Sequence, residues 1–179
     1  PRYVERTACA ELVAALRSRG RAATLVGVFV NMPPDEVRRI LDECSLDLAQ
    51  LSGDEPPADL ALLGERAFKA IRPRGADEAR RLAASYAVRF TPPALLVDAA
   101  VGAGQFGGTG RPGDRDAARA VAAQYPILLA GGLQPENVAA AIAAVQPWGV
   151  DVASGVESSP GRKDAAKMKA FVRAANGQS

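Results

Sequence analysis

The sequence predicts an α/β fold in which short parallel strands alternate with helices. Six aliphatic runs of four to six residues are mostly continuous in hydrophobicity, as expected of strands buried on both faces. Amphipathic helical patterns separate these runs, and successive runs begin roughly 20 to 35 residues apart, which is typical of a repeated βα unit. A doubly wound sheet and an eight-stranded (β/α)8 barrel both satisfy this pattern.

The individual elements follow from local patterns. The predicted strands are Leu25–Val30, Leu46–Leu51, Phe68–Ile71, Ala94–Val97, Ile127–Ala130 and Val150–Ala153. Apolar residues at helical spacing predict helices around residues 9–16, 37–44, 79–86, 138–145 and 165–172, with a less regular helix after residues 52–57. Two acidic residues follow Pro34 and one Glu follows Pro135, so each proline predicts the start of a helix.

Two features favour the barrel over the doubly wound sheet. Glycine-rich loops follow the last three predicted strands, and no Gly-x-Gly-x-x-Gly run follows the first. A closed barrel needs eight strands and at least about 200 residues, whereas this chain of 179 residues opens with a helix. The sequence therefore predicts one barrel domain over residues 1–179 that is incomplete as recorded. About six of the eight strands are present, the first two are missing, and apolar strand edges are left unpaired.

Composition excludes several classes of function. Lys and Arg number 22 and Asp and Glu number 20, so the net charge of +2 argues against a nucleic-acid tract or a membrane-binding face. The chain has no histidine, which excludes a Ser-His-Asp triad and histidine-ligated metals. Cys9 and Cys44 form no Cys-x-x-Cys motif and fall on apolar helix stripes, which predicts buried thiols in a reducing cytoplasm. We expect no signal peptide and no transmembrane helix.

The ends of the last two strands indicate a phosphate site. Gly131 and Gly132 follow one strand, and Ser154 and Gly155 follow the next. Small residues let backbone N–H groups approach an anion closely, and barrels commonly bind phosphate at the loops after strands seven and eight. The alternative is that Gly131 and Gly132 only form a tight turn. The long loop Gly102–Gly110 predicts a lid or a second phosphate cradle, but it lacks the ending of an NTPase P-loop.

Four acidic residues near strand ends were considered for catalysis. Asp98 follows four apolar residues, and it is predicted either as a general acid at the barrel mouth or as a solvated or capping aspartate. Asp54 and Glu55 precede two prolines and are interpreted as charges in the first turn of a helix. Asp151 lies inside a predicted strand, so we interpret it as a structural hydrogen-bond partner.

In order and spacing, the motifs resemble the phosphoribosylanthranilate isomerase family over essentially the whole chain. The segments that carry the resemblance are Pro1–Val4, Val26–Asn31, Ala49–Glu55, Leu95–Asp98, Phe106–Gly110, Leu129–Leu133, Pro135–Asn137 and Val150–Gly161. The resemblance implies a metal-free and cofactor-free Amadori rearrangement of N-(5-phosphoribosyl)anthranilate to 1-(2-carboxyphenylamino)-1-deoxyribulose 5-phosphate, in the synthesis of tryptophan. The implied partner is this phosphorylated sugar-amine, with no nucleic acid or membrane, for a monomer or homodimer.

By the same resemblance, specific residues receive roles. Asp98 is the general acid, and Arg2 binds the anthranilate carboxylate, for which a guanidinium fork is suited. The phosphate-binding residues are Gly131, Gly132, Ser154 and Gly155.

The sequence departs from the family pattern at two places. The family's general base is a cysteine in a Lys-Ile-Cys-Gly run on the first strand, which this chain does not contain. Ser52 stands where the family usually has histidine, and a serine hydroxyl cannot carry charge. Two alternatives therefore remain open: a truncated, non-catalytic phosphate-ligand binder, and a related histidine-pathway or bifunctional sugar-phosphate isomerase.

Overall fold

A computed structural model describes residues 2–20, 23–98 and 115–177, and helices alternate with strands through these ranges. In chain order the elements are α1 (Arg6–Arg17), β1 (Val26–Phe29), α2 (Pro34–Glu43), β2 (Leu48–Leu51), α3 (Pro57–Leu63), β3 (Ala67–Ile71), α4 (Ala76–Tyr86), β4 (Leu95–Val97), α5 (Arg115–Ala122), β5 (Ile127–Leu129), α6 (Val138–Val145), β6 (Gly149–Val150), β7 (Glu157–Ser159), β8 (Arg162–Lys163) and α7 (Ala165–Ala175). The six predicted strands are confirmed as β1 to β6, with no bound shifted by more than three residues.

Strand order decides between the two predicted folds. Within the described ranges, β1 to β6 form one parallel sheet in which each strand pairs with the next one in the chain. A doubly wound sheet reverses its strand order at a switch point, and this sheet has no reversal. The sheet curls into a half-barrel, which agrees with the expectation of an incomplete barrel.

Alternation along the strands gives the sheet an inner and an outer face. Phe68, Ala70 and Leu96 form the inner cluster with Ala130. Ile71 belongs instead to the outer cluster, packed beneath α4 to α7. Because successive side chains point to opposite faces, the residues directly after β3 and β4 return to the inner face.

The sheet has two open edges within the part of the chain that the structure describes, because β1 pairs only with β2 and β6 pairs only with β5. Val28 in β1 is 63% exposed. The predicted unpaired apolar edge is therefore present in the structure at β1.

Two local predictions are wrong, and one element was not predicted. The predicted strand Val150–Ala153 is wrong beyond Val150, because the chain turns into a short 3-10 helix at Ser154–Val156. Pro135 lies in a turn and α6 begins only at Val138, because the Asn137 side chain accepts from the Gln134 N–H at 2.9 Å and organises that turn. The β7–β8 hairpin was not predicted, since its polar residues show no alternation. The helix start at Pro34 is confirmed.

No helix in the described ranges has both the length and the apolar character needed to cross a membrane.

Candidate active site

A cavity of about 410 Å³ opens at the carboxyl ends of the strands. It brings together all six residues for which a role was predicted from the sequence: Arg2, Asp98, Gly131, Gly132, Ser154 and Gly155. Val28, Gln50, Ser52, Ala70, Arg72, Leu96 and Asp151 contribute to its walls. The cavity floor is apolar, and the polar groups lie at the strand ends, as expected for a site at the mouth of a barrel.

Asp98 occupies the end of β4. Its N–H donates to the Ile71 carbonyl at 3.0 Å, which extends the β3–β4 ladder by one residue. Val97 packs on the outer face, so Asp98 follows on the inner face, half-buried in the cavity wall. A carboxyl group in this position can exchange a proton with a ligand in the cavity.

Asp151 shares the cavity with Asp98. Its backbone N–H donates to the Leu129 carbonyl at 2.8 Å, but its carboxylate accepts from no side chain in the described ranges. The group is open to the cavity, yet surrounding protein desolvates it, which raises its pKa, and the charge of Asp98 raises the pKa further. The interpretation of Asp151 as a structural hydrogen-bond partner is therefore wrong, and the carboxylate belongs to the cavity.

Two tight backbone segments form the rim at β5 and β6. Gly131 has a φ of 97° and Gly132 a φ of 66°, and side chains with a Cβ rarely adopt these values. A Cβ on Gly155 would collide with the carbonyl oxygen of Leu133, so this glycine lets the two segments approach each other. Asn137 donates to the Gly132 carbonyl at 3.0 Å and fixes the first segment. The backbone of these two segments therefore lines the cavity where the sequence predicts a bound phosphate.

Arg2 reaches the cavity from the segment before α1. Its guanidinium donates twice to Glu157, which also receives a bond of 3.1 Å from Lys163. The Arg2 hydrogen bond, followed by the contribution of Lys163, lowers the pKa of Glu157 to about 2. The two cations are therefore held beside the Ser154–Gly155 segment by an ionised carboxylate.

Glu55 differs from its prediction. Helix α3 begins only at Pro57, and Glu55 turns inward, 3% exposed. Its Oε1 accepts from the Asn31 and Gly53 N–H groups at 2.8 and 3.1 Å, and its Oε2 lies 3.1 Å from Lys69 Nζ. The prediction of a first-turn surface charge is wrong for Glu55, because it serves a buried ion pair instead. Asp54 is exposed, but it also precedes the helix.

Sequence reasoning missed Lys69 and Arg72. A lysine inside the apolar run Phe68–Ile71 is the signal that could have indicated a buried partner. Arg72 follows that run directly, at the strand end where cavity residues were expected.

Several remaining predictions concern residues outside this cavity. Cys44 is buried, and its thiol donates to the Arg6 carbonyl at 3.5 Å; burial, followed by the neighbouring Cys9, raises the pKa of Cys44. Cys9 is half-buried. Cys9 lies on α1 and Cys44 directly follows α2, so the predicted burial is confirmed for Cys44 and only partial for Cys9. The loop Gly102–Gly110 lies outside the described residues. Within the described ranges, no group of three Cys, Asp or Glu side chains could hold a metal ion.

Comparison with known proteins decides the family. A model of the family described as N-(5'-phosphoribosyl)anthranilate (PRA) isomerase matches residues 3–174. The chain belongs to this family. An N-(5'-phosphoribosyl)anthranilate isomerase of Citrifermentans bemidjiense is 46% identical over 172 residues, which cover 96% of this chain and 79% of the relative.

Solved structures of phosphoribosyl anthranilate isomerases have the same architecture. The structure from Thermus thermophilus is 32% identical, covers 97% of this chain and 80% of that chain, and gives a TM-score of 0.80. Another phosphoribosyl anthranilate isomerase was solved in complex with reduced 1-(o-carboxyphenylamino)-1-deoxyribulose 5-phosphate. It is 29% identical, covers 98% of this chain and 81% of that chain, and gives a TM-score of 0.79.

Proposed function

We propose that this protein catalyses the Amadori rearrangement of N-(5'-phosphoribosyl)anthranilate to 1-(o-carboxyphenylamino)-1-deoxyribulose 5-phosphate. Membership of the isomerase family supports the activity. The observation that carries the proposal within this chain is one cavity that contains both a carboxylic acid, Asp98, and the two glycine-bearing backbone segments. A phosphorylated sugar needs both an anion anchor and a proton donor.

The reaction begins at the sugar ring. Asp98 donates a proton to the furanose oxygen as the C1–O bond breaks, and the amine lone pair forms an iminium ion. A base then removes the proton from C2 to give an enolamine, which takes up a proton at C1 and loses the proton of its C2 hydroxyl to give the aminoketose. No atoms are gained or lost, and no step requires a metal or a redox cofactor. A positioned acid of this kind contributes about 10² to 10⁴ in rate.

The two ends of the substrate bind to different groups. The phosphate binds to the backbone around Gly131, Gly132, Ser154 and Gly155, where N–H donors and the serine hydroxyl can surround its oxygens. Arg2 binds the anthranilate carboxylate. Glu157 accepts hydrogen bonds from Nε and Nη2 of Arg2. The anthranilate carboxylate therefore binds on the other side of the guanidinium, at Nη1.

The complete protein forms an eight-stranded barrel in which two further strands fill the gap between β6 and β1. The open edges of the sheet and the 79–80% coverage of curated relatives support this arrangement. By the family resemblance, the general base is then a cysteine of the added first strand. Cys44 is buried and its raised pKa suits a packing thiol. Intact-mass measurement on the purified natural protein tests this proposal. A mass equal to the 18.6 kDa of this chain would contradict it.

Turnover of the substrate by the full-length protein is the direct test of the function. We expect conversion to the aminoketose without added metal, monitored by chromatography. Binding of inorganic phosphate or the reduced product analogue without any turnover would contradict the isomerase and favour a phosphate-ligand binder. Faster conversion of an aminoaldose from histidine synthesis would favour the related sugar-phosphate isomerase. A cytoplasmic location and a monomeric or homodimeric state stay predictions.

A further inference from the structure

We propose that Arg72 binds the substrate at the wall of the cavity, and that a buried ion pair between Lys69 and Glu55 sets its position. The ion pair acts through the loop of residues 52–55, which follows β2. The identity of the ligand rests on the proposed function. The roles of the three side chains rest on the contacts around them.

Arg72 stands next to the candidate acid. Ile71 of β3 is in register with Val97 of β4, so the following residues, Arg72 and Asp98, are neighbours on the inner face of the sheet. Adjacent strands are about 4.8 Å apart, which brings the two side chains to the same part of the cavity wall. A ligand that receives a proton from Asp98 therefore lies within reach of the Arg72 guanidinium.

The guanidinium is oriented by the backbone of the loop. Arg72 Nη2 donates to the Ser52 carbonyl at 2.7 Å. Ser52 is itself fixed, because its N–H donates to the Phe29 carbonyl at 2.8 Å and its hydroxyl accepts from Gln50 Nε2 at 3.0 Å. A guanidinium has five N–H donors in a rigid plane, so a bond to a fixed carbonyl restricts the directions in which its other donors can point.

The ion pair holds the next residue of the loop from both sides. Lys69 Nζ donates to the Gly53 carbonyl at 2.7 Å, and to the Ala70 and Leu51 carbonyls at 3.1 and 3.3 Å. The Gly53 N–H donates to Glu55 Oε1 at 3.1 Å. Lys69 and Glu55 are 4% and 3% exposed, so water does not compete for these bonds. The peptide groups on both sides of Gly53 are thereby fixed, directly after Ser52.

Contacts with neighbouring elements further restrict the loop of residues 52–55. Asn31, with a φ of 51°, accepts from the Asp54 N–H at 2.6 Å through its side-chain oxygen. A Cβ on Gly53 would collide with Asn31, so the two segments are in direct contact. Tyr86 of α4 donates to the Glu55 carbonyl at 2.9 Å, and its ring centre lies 5.7 Å from Lys69 Nζ. The loop is therefore tied to β1, β3 and α4.

Stability alone does not account for this arrangement. Burying a lysine and a glutamate costs desolvation energy that their attraction repays only in part, and apolar residues of similar size are often as stabilising. What the pair does supply is a defined path for the backbone at Gly53. That path determines where the Ser52 carbonyl points, and hence where Arg72 points.

The test compares ligand affinities of the full-length protein and its variants by calorimetry and steady-state kinetics. The probes are the reduced product analogue, which has both a phosphate and a carboxylate, and inorganic phosphate alone. We expect Arg72→Met to raise KM and the Kd of the analogue about 10-fold or more, the size of one lost charged hydrogen bond. The kcat should change less than about threefold, and the Kd of inorganic phosphate should not change.

The role of the ion pair is tested by the double variant K69M/E55Q, which removes both charges together. We expect it to raise the Kd of the analogue, and we expect Arg72→Met to add little further loss in that background, because both changes remove the same contact. If the double variant does not fold, Glu55→Gln alone is used. It keeps an oxygen for the Asn31 and Gly53 N–H groups and should give a smaller effect with the same non-additivity.

Arg74→Met is the matched control, because Arg74 is exposed and lies two residues further along the chain, outside the cavity lining. It should leave all affinities unchanged. An unchanged analogue Kd in Arg72→Met, or an equal loss of affinity for inorganic phosphate, would overturn the assignment of Arg72. Fully additive losses would overturn the role of the ion pair. If the wild-type protein has no turnover, the proposed isomerase fails, while the analogue titrations still decide the role of Arg72.

Discussion

Arg2 and Glu157 lie 155 positions apart in the sequence and form a two-bond ion pair, with Nε–Oε1 and Nη2–Oε2 distances of 2.9 and 2.7 Å. The pair ties the segment before α1 to the β7–β8 hairpin. Lys163 of β8 donates to Glu157 of β7, and it also donates to the carbonyl of Ala153, before the hairpin, at 2.7 Å. The predicted carboxylate-binding arginine is therefore oriented by a residue that follows the predicted phosphate segment.

The pH dependence of stability should report this ion pair. The pKa of Glu157 is lowered to about 2, below that of the unfolded chain, so its contribution is complete above about pH 5. The contribution is lost as the pH falls towards 2. Urea unfolding of the wild type and of Glu157→Gln should therefore give a difference in unfolding free energy that shrinks over this range. A difference that stays constant from pH 6 to pH 2 would contradict the ion pair.

Asp151 should show the opposite dependence. Its pKa is raised in the folded protein, so its neutral form is stabilising at low pH and this contribution is lost as the pH rises through the folded pKa. Asp151→Asn should therefore gain stability relative to the wild type as the pH rises above about 4, the pKa of an unfolded Asp, measured by urea unfolding. Asp164→Asn is the control, because hydrogen bonds from the Lys167 and Ala166 N–H groups lower the pKa of Asp164. A fall in relative stability of Asp151→Asn with pH would refute the assignment.

Gly155→Ala should disturb the predicted phosphate site. Its new methyl group meets the Leu133 carbonyl, and one of the two rim segments must move. We expect a KM increase of about 10-fold and a stability loss of about 1–3 kcal/mol, typical of overpacking. Gly177→Ala is the control, because a Cβ there meets open space, and its φ of 68° costs stability far from the cavity. A wild-type KM for Gly155→Ala would mean that the segment is only a turn.

Lys69→Met alone should destabilise the fold more than the double variant that removes both charges. The single variant leaves Glu55 ionised and buried, which costs about 3–5 kcal/mol. Adding Glu55→Gln should restore part of that loss, because no unpaired charge remains. Denaturant unfolding of the two single variants and the double variant gives the coupling energy. Additive losses would show that the two side chains do not act as a pair.

The sequence predicted the sheet and the residues around the cavity for a geometric reason. Continuous apolar runs specify parallel strands, and the carboxyl ends of parallel strands meet at one edge, so Asp98, Gly131 and Ser154 had to lie near each other. The direction of a side chain in a loop follows no such period. Glu55 turns inward because Asn31 and Gly53 offer N–H donors and Lys69 lies beneath them, contacts that span up to 24 positions.

The end of β6 and the β7–β8 hairpin could not be predicted from the sequence for a related reason. The strand β6 ends at Val150 and the chain turns into the 3-10 helix at Ser154, so Asp151 lines the cavity although its N–H still donates to the Leu129 carbonyl. The β7–β8 hairpin is held by the Arg2–Glu157 pair, a contact between the two ends of the chain. Neither feature produces a local hydrophobic pattern.

The proposed reaction depends most on Asp98 acting as the proton donor in the cavity. Asp98→Asn keeps the size of the side chain and removes its acid. Steady-state kinetics of the full-length variant with N-(5'-phosphoribosyl)anthranilate should show a kcat at least about 10²-fold below the wild type, with the Kd of the reduced product analogue little changed. A wild-type kcat in Asp98→Asn would contradict the mechanism.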